Sequence, residues 1–358
     1  MVENGYEIDF IPVDSGQKNG DAISIRITEN CITKIYVIDG GTKATGQGLV
    51  DHIQKYYGTD KVDYLINTHP DLDHISGLTV VMDKLEVQEL WMHRPWEHSY
   101  QIIDDILDNR VTVNSLTKRL QDTLKIAKKL EQMAFDREIP VYEPFQGENI
   151  GHFHVLSPHS DWYIELIKGF NNMPASEKSS FIGETVRSFA DDKIKTISEY
   201  WNYETLSEEG ETSDKNESSV VLYGQLPNNF NVLLTGDAGL QSLNKAYEYS
   251  SSIGVDLKDC KFIQIPHHGG RRNVSPSLLD KILGTKLPKG SASIGVAFVN
   301  TSKDCPEHPK KSVSNAFKRR GFNVISTRGK TICEHWGYPS REGWIFASPL
   351  PFFYRVEE

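Results

Sequence analysis

A short stretch, INTHPDLDHISGL at residues 66–78, constrains this chain more than any other part of its sequence. Four side chains that bind metals well lie within six residues: His69, Asp71, Asp73 and His74. Carboxylates this close repel each other, and a divalent cation removes that penalty. A plain surface loop is the alternative. The apolar run VDYLINT before the cluster favours a metal site, because catalytic groups commonly follow strands in α/β folds.

Two later stretches place similar side chains after apolar, strand-like runs. LLTGD supplies Asp237, and IPHHGG supplies His267 and His268. A lone Asp after Thr-Gly would most simply be a turn residue. Three such strand ends in one chain indicate instead that distant segments converge on one metal centre.

The order of elements predicts an α/β fold. Strand-like runs in the first 80 residues surround the helix-like QGLVDHIQKYYG, and the second half repeats this β/α style. We therefore expect two sheets packed inside helices. We also expect a single domain over residues 1–358, with a helical insertion at about 81–140 and an acidic insertion at about 160–217.

Composition narrows the class of protein. No run approaches the roughly 18 apolar residues that span a membrane. The start, MVENGYEIDF, lacks the features of a signal peptide, so we expect a cytoplasmic protein with no membrane partner. Four dispersed cysteines fit a reducing compartment. The net charge of −10 disfavours broad capture of long nucleic acid, but it permits a local basic groove or a small phosphorylated substrate.

Taken together, the motifs resemble the metallo-β-lactamase superfamily. Within it they resemble the soluble hydrolase domain of ComEC-type competence proteins and its stand-alone relatives. The family pattern appears here, in order, as DSGQKNGDA, IDGG, THPDLDHISG, LLTGD, PHHGG and EHP, across roughly residues 7–335. The resemblance implies a four-layer αββα sandwich with helical and polar insertions.

The same resemblance implies a centre with two divalent ions. The first ion would be bound by His69 and Asp71, the second by Asp73, His74 and His268, and Asp237 would bridge them. His267 would then contact the substrate, although the reverse assignment of His267 and His268 stays open. Because the ligands are rich in carboxylates and contain no thiolate, manganese suits the site as well as zinc.

Other residues are implied around the ions. Asp39 would orient a ligand histidine, and Asp21 would lie near the site. His308, in CPEHPKK, would act as a general acid or contact a phosphate, so that the candidate catalytic residues are Asp73, His267 and His308. For Asp39 a turn residue, and for His308 a surface histidine, is the alternative.

A local anion site is predicted to involve Arg271, Arg272, Lys303 and Lys310, with a solvated basic loop as the alternative. The chain departs from the family in three places. Asp71 stands where most members have a histidine, Gly270 stands where serine is usual, and the motif GQKNGDA is longer than the usual Gly-Gln-Gly-Asp-Ala. The first ion also has no evident third ligand, and the histidines that could be considered are His93, His98 and His159.

The leading functional hypothesis is a metal-dependent phosphodiesterase or DNA nuclease, in which paired cations activate water for attack on phosphorus. Its substrate would be a phosphodiester, either DNA or a nucleotide. A protein partner is compatible with the sequence but not identifiable from it. The alternatives are a hydrolase of a carboxylic ester, lactone or β-lactam, and a non-catalytic metal-binding module.

Overall fold

The computed structural model describes residues 2–13, 19–170, 173–174 and 196–357. Residues 14–18 of the motif DSGQKNGDA lie outside this description, as do residues 171–172 and 175–195 of the expected acidic insertion. No helix among the described residues is both long and apolar enough to cross a membrane.

Most strands predicted from apolar runs are present. The strands are β1 Gly5–Phe10, β2 Ala22–Glu29, β3 Ile32–Gly40, β4 Lys61–Ile66, β5 Glu86–Trp91, β6 Val141–Tyr142, β7 Asn149–Ile150, β8 Phe153–Ser157, β9 Thr196–Ser198, β10 Val221–Leu226, β11 Phe230–Leu234, β12 Cys260–Gln264, β13 Gly295–Val299, β14 Phe322–Ser326, β15 Ile332–Trp336 and β16 Arg355–Glu357. Strand β5 lies within the segment 81–140, for which the pattern predicted mostly helix.

The α-helices alternate with these strands. They are α1 Lys43–His52, α2 Leu72–Ile75, α3 Leu78–Lys84, α4 Ser99–Ile102, α5 Val113–Thr123, α6 Lys125–Phe135, α7 Ser160–Ile167, α8 Asp214–Glu217, α9 Leu240–Ser252, α10 Pro276–Leu283 and α11 Lys311–Arg319. Helix α1 continues through a π-helical turn to Gly58, whose φ of 67° ends it in the left-handed conformation that favours glycine.

Two seven-stranded sheets form the centre of the described structure. Their strand orders are β15-β1-β2-β3-β4-β5-β6 and β14-β13-β12-β11-β10-β8-β7. Strands β3 to β6 pair in parallel, and so do β11 to β14. The carboxyl ends of each parallel set therefore meet at one edge of its sheet.

Apolar side chains fill three layers around these sheets. One cluster joins residues of both sheets, among them Ile8, Phe153 and Phe262, and so lies between them. A second cluster packs α1, α3, α5, α6 and α7 on the first sheet. A third packs α9, α10 and α11 on the second sheet. This αββα arrangement confirms the fold class predicted from the sequence.

Candidate metal centre

The candidate metal-binding residues lie at one edge, where the ends of strands from both sheets meet. Asp39 is the penultimate residue of β3, and His69 follows β4 by three residues. On the second sheet, Asp237 and His268 follow β11 and β12. Asp21 directly precedes β2, which is antiparallel to β3 and therefore begins at the same edge. The convergence predicted from separate strand ends is thus present.

Four buried residues form the larger of two compact groups of possible ligands in the described structure, the smaller being Asp39, His69 and His74. One ligand atom from each lies within 4.8 Å of the other three; the residues are Asp21, His74, Asp237 and His268. The Nε2 atom of His74 lies 3.4 Å from Oδ2 of Asp237, and Nε2 of His268 lies 3.6 Å from Oδ1 of Asp237. Asp237 is therefore the centre on which the imidazoles converge. We name this group the enclosed half.

The Nδ1 atoms of the two enclosed imidazoles are already engaged. Nδ1 of His74 donates to Oδ2 of Asp39 at 2.8 Å, and Nδ1 of His268 donates to the carbonyl oxygen of Asn300 at 3.1 Å. Each Nε2 atom then faces Asp237. Contacts of this kind orient metal-binding histidines and raise their basicity.

His69 is held in the same way. Its Nδ1 lies 3.0 Å from Oγ1 of Thr68, and that hydroxyl donates to Oδ2 of Asp39 at 2.6 Å. The hydroxyl therefore accepts from His69, and Nε2 of His69 is free to face Asp237 at 3.8 Å. Asp39 thus fixes both His69 and His74, as expected of a residue behind the ligands.

The unpartnered atoms of this centre fit a divalent cation. The buried atoms without a hydrogen-bond partner in the described structure include Nε2 of His69, Nε2 of His74, Nε2 of His268 and Oδ1 of Asp237. Buried polar atoms normally have partners, and leaving one unpaired costs roughly 1–3 kcal/mol. Three imidazole Nε2 atoms and one carboxylate oxygen gathered around Asp237 form a ligand set typical of zinc or manganese.

The rest of the loop forms a more open half, which we define as His69, Asp71 and Lys215. Nε2 of His69 lies 3.8 Å from Oδ2 of Asp71. The other carboxylate oxygen of Asp71 accepts a hydrogen bond from Nζ of Lys215 on α8. The Asp71 side chain is 29% exposed, whereas that of Asp237 is 5% exposed. A lysine ammonium therefore neutralises one predicted ligand of this half.

Asp73 lies in the first turn of α2. It falls outside the compact ligand groups, but its charge contributes to the raised pKa of Asp21. The carbonyl oxygen of Asp73 also packs on Gly20, where a Cβ atom would lie 2.2 Å away. Asp73 is therefore adjacent to the enclosed half, and its role as a ligand stays a prediction.

His267 lies at the rim of the centre. Its Nε2 is 3.8 Å from Oδ2 of Asp237, and its side chain is 38% exposed. Its Nδ1 lies 3.0 Å from Oδ1 of Asn273, whose amide nitrogen donates to the carbonyls of Asp237 and Ala238. Because that amide nitrogen is so engaged, the Asn273 oxygen accepts from Nδ1 of His267. His268 is the more buried of the two histidines, as a ligand would be.

His308 is partly buried near the same rim. Its Nδ1 contacts Sγ of Cys305 at 3.4 Å. Burial, reinforced by the charges of Lys310 and His267, lowers the pKa of His308 to about 4. The imidazole is therefore neutral at pH 7, and its proposed role as an acid or phosphate contact stays a prediction.

The pKa values of the two buried carboxyl groups, Asp237 and Asp21, are shifted in opposite directions. Burial would raise the pKa of Asp237, but the imidazoles of His74, His267 and His268 outweigh it and hold the pKa well below its usual value. Burial, together with the charges of Asp237 and Asp39, raises the pKa of Asp21 well above its usual value. Asp237 is therefore the permanently ionised carboxylate of the enclosed half.

The imidazoles also differ from one another. Burial lowers the pKa of His268 to about 3, and it lowers the pKa of His69. Burial would lower the pKa of His74 too, but the carboxylates of Asp237 and Asp39 outweigh it and raise that pKa well above its usual value. His69 and His268 are therefore neutral and ready to bind a cation.

Close packing requires glycine at one position of the motifs, and three other motif residues have an unusual backbone conformation. Gly77 packs so closely on β3 that a Cβ atom there would lie 1.9 Å from the carbonyl oxygen of Gly40. This contact holds the loop of residues 66–78 against the end of β3. Asp39, His267 and His268 have φ values of 54°, 46° and 54°. Non-glycine residues rarely adopt this conformation, and such residues cluster at functional sites.

The predicted anion-site residues and the unassigned histidines fall outside the compact ligand groups, and the anion site stays a prediction. The guanidinium of Arg271 donates to the carbonyl of Glu357 at 3.2 Å, the backbone of Arg272 packs on Gly210, and Lys303 lies in the loop after β13. His93 stacks on Tyr163, His98 pairs with Glu143, and His159 caps α7. None of these six residues belongs to either compact ligand group of the described structure.

Sequence reasoning missed several residues that support the centre. Gln264 donates to Asp21 at 2.9 Å and accepts from the backbone nitrogens of Thr235 and Gly236. Its signal in the sequence is a single polar residue inside the apolar run FIQI. Lys215 and Asn300 gave no such signal, since the first lies 144 positions from Asp71 and the second acts through its backbone carbonyl.

Comparisons with known proteins agree with this fold. Residues 25–156 match the family model described as the metallo-beta-lactamase superfamily. This match includes β3, β4 and the loop of residues 66–78. No curated protein matches the chain.

Several solved structures show a more distant likeness. Yeast PDE1 is 10% identical, with 92% of this chain and 99% of that chain covered, at a TM-score of 0.41. The long form of RNase Z from yeast is 11% identical, with 92% and 42% covered, at a TM-score of 0.41. A metallo-beta-lactamase from Hirschia baltica is 12% identical, with 78% and 92% covered, at a TM-score of 0.34. Because these sequence identities and TM-scores are low, they carry no conclusion about the function of this chain.

Proposed function

We propose that this chain is a metal-dependent hydrolase of phosphodiesters, acting as a phosphodiesterase or DNA nuclease. The observation that carries the proposal is the convergence of three oriented imidazole Nε2 atoms on the buried carboxylate of Asp237. A structural role alone would not require such an unsatisfied, strained arrangement at the open edge of two sheets. The residues that would hold two divalent ions, zinc or manganese, are His69, Asp71, Asp73, His74, Asp237 and His268.

When bound, such ions polarise a phosphoryl oxygen and acidify water. The chain's own residues position the ligands. Asp39 holds Nδ1 of His74 and, through Thr68, Nδ1 of His69, while the carbonyl of Asn300 holds Nδ1 of His268. Since each of these contacts fixes a ring before substrate arrives, little reorganisation is needed during the reaction.

His267 is the group best placed to move a proton. Its Nδ1 hydrogen is held by Asn273, so its Nε2 can take up or release a proton at the half-exposed rim. In this proposal Nε2 of His267 contacts the departing oxygen of the substrate, and His308 contacts a phosphate oxygen. Asp73 completes the ligand set next to Asp21.

Other parts of the proposal concern the setting of the enzyme. The order of motifs containing Asp39, His74, Asp237 and His268 supports a relation to ComEC-type hydrolase domains. All four cysteines are unpaired, which supports a cytoplasmic location. We treat the chain as one domain in which residues 81–140 and 160–217 are insertions that shape access to the centre.

Metal analysis and a substrate panel test this proposal. Purified protein should contain tightly bound zinc or manganese. It should hydrolyse bis-p-nitrophenyl phosphate and single-stranded DNA when either metal is supplied. Asp237→Asn should lose metal and turnover together, whereas Asp136→Asn, which changes an exposed aspartate at the C-terminal end of α6, should lose neither. Inactivity on both phosphodiesters with both metals, or faster turnover of esters and lactones, would reject the proposal.

A further inference from the structure

One helical surface near the centre has a charge opposite to that of the whole chain. Residues 110–129 contain six basic residues and one acidic residue, while the chain has a net charge of −10. The exposed members on α5 and the start of α6 include Lys118, Arg119 and Lys125. Lys118 and Lys125 form no ion pair within the described structure, so their charges are available to solvent. This concentration of positive charge is therefore local.

Three adjoining clefts connect this surface to the open half of the metal centre. The first, of about 210 Å³, is lined by Asp71 and Lys215 at one end and by Thr123 and Lys125 at the other. The second, of about 780 Å³, shares Thr123 and Lys125 with the first and also contains Lys118 and Arg119.

The third cleft, of about 470 Å³, shares Ser115 and Arg119 with the second and ends at Arg110. Shared lining residues make the three clefts one path. We name it the basic groove and define it by Arg110, Lys118, Arg119 and Lys125. The acidic side chains beside it are Asp108, which pairs with Arg110, Asp122, and Asp71 at the end nearest the centre.

The end of the groove nearest the centre is apolar as well as basic. Leu72, which is 62% exposed, and the buried side chains of Leu124 and Phe170 line the first cleft. Apolar and aromatic walls beside cationic residues suit nucleobases that are unstacked, with the phosphates following the positive charges. In a duplex the bases are paired and stacked, so this combination favours a single strand.

We infer that the basic groove binds a single-stranded nucleic acid and guides it to the metal centre. This inference rests on the proposed phosphodiesterase function and adds the class of substrate and the path that it follows. It also replaces the expected anion site at Arg271, Arg272 and Lys303 with a surface on the opposite sheet's helical layer. The strand would run from Arg110 along α5 to Lys215, with a base in the cleft beside Leu72.

Charge reversal on α5 tests the inference. The double variant Lys118→Glu, Arg119→Glu should bind a fluorescein-labelled single-stranded oligonucleotide on the order of tenfold more weakly at low salt. Loss of two phosphate contacts should also reduce the slope of log affinity against log salt by roughly 1.4. Fluorescence anisotropy over a range of salt concentrations measures both quantities.

A matched control separates local contacts from net charge. The double variant Lys258→Glu, Lys261→Glu makes the same change in charge at exposed positions beside β12, which lies in the other sheet. It should change affinity and slope far less. Circular dichroism should show both variants folded, and the single variant Lys125→Glu provides a second test of the groove.

The inference is overturned if the α5 variant binds as tightly as the wild type, or loses no more affinity than the control. The inference would also be overturned if the wild type bound duplex DNA or polyglutamate as tightly as it binds single-stranded DNA. Hydrolysis of bis-p-nitrophenyl phosphate by the wild type tests the proposed function separately. If the groove variants weakened DNA binding but the wild type did not hydrolyse this ester, the groove would stand as a binding surface and the proposed phosphodiesterase function would be rejected.

Discussion

Each of the two halves of the candidate centre includes residues of the loop 66–78, but their surroundings differ. In the enclosed half, His74 and His268 are oriented from behind and face a carboxylate that is almost fully buried. In the open half, Asp71 is more exposed and is already paired with Lys215. Fixed ligands lose little freedom when a cation binds, whereas a paired carboxylate must first release its partner. We therefore expect the enclosed half to bind its ion more tightly.

The largest effect is expected from removing a ligand of the enclosed half. His74→Ala should weaken binding of the tighter ion by more than 100-fold, beyond the roughly 10–100-fold that results from changing a residue behind a ligand. Isothermal titration with Mn²⁺ or Zn²⁺ measures the loss. His159→Ala, which removes an exposed histidine, is the control, and an equal loss in the two variants would remove the basis of the comparison.

A smaller effect is expected when the residue behind the ligands is changed. Asp39→Asn removes the charge that faces Nδ1 of His74, and metal affinity should fall by roughly 10–100-fold. The same titration measures the change. Because Asp39 also holds Thr68 and hence His69, both binding events should weaken. If only the binding of the weaker ion were reduced, Asp39 would not be the residue that organises the enclosed half.

Removing Lys215 from the open half should strengthen metal binding instead of weakening it. Lys215→Met frees Asp71 from a charge-assisted hydrogen bond that contributes roughly 1.5 kcal/mol, so the weaker ion should bind about tenfold more tightly. Titration to two equivalents of metal measures this, with Lys258→Met as the matched control. Weaker binding in the Lys215 variant would mean that the ammonium supports the site instead of competing with the ion.

The smallest effect concerns thermal stability. A ligand at 100 times its dissociation constant stabilises the native state by about 2.7 kcal/mol, which raises Tm by several degrees. Differential scanning fluorimetry with and without metal should show this shift in the wild type. We expect His268→Ala to lose most of the shift and Asp71→Asn to lose less. A larger loss in the Asp71 variant would reverse the order of the two halves.

The parts of the centre that could be predicted from sequence are those marked by local patterns. His69 and His74 follow a strand within one short motif, and Asp237 and His268 follow strands whose apolar runs are plain. The two-sheet fold follows from the same runs, because their β/α order leaves few other ways to cover the strands. These features depend on residues close together in the chain.

The parts that could not be predicted depend on distant or backbone contacts. Lys215 reaches Asp71 from a segment of polar composition that has no distinctive pattern. Asn300 holds His268 through a carbonyl group, which every residue possesses. The basic groove was hidden because Lys118 and Arg119 look like the solvated face of an ordinary helix. Only the folded chain shows that this face adjoins the metal centre.

The meeting of two sheets at one edge has a consequence for how the protein matures. His69 and His74 come from one sheet, and Asp237 and His268 come from the other. A partly folded chain with only one sheet assembled would hold half of a coordination sphere and capture ions poorly. Metal uptake during refolding would then begin only after the two sheets have docked, so its time course would report that docking step.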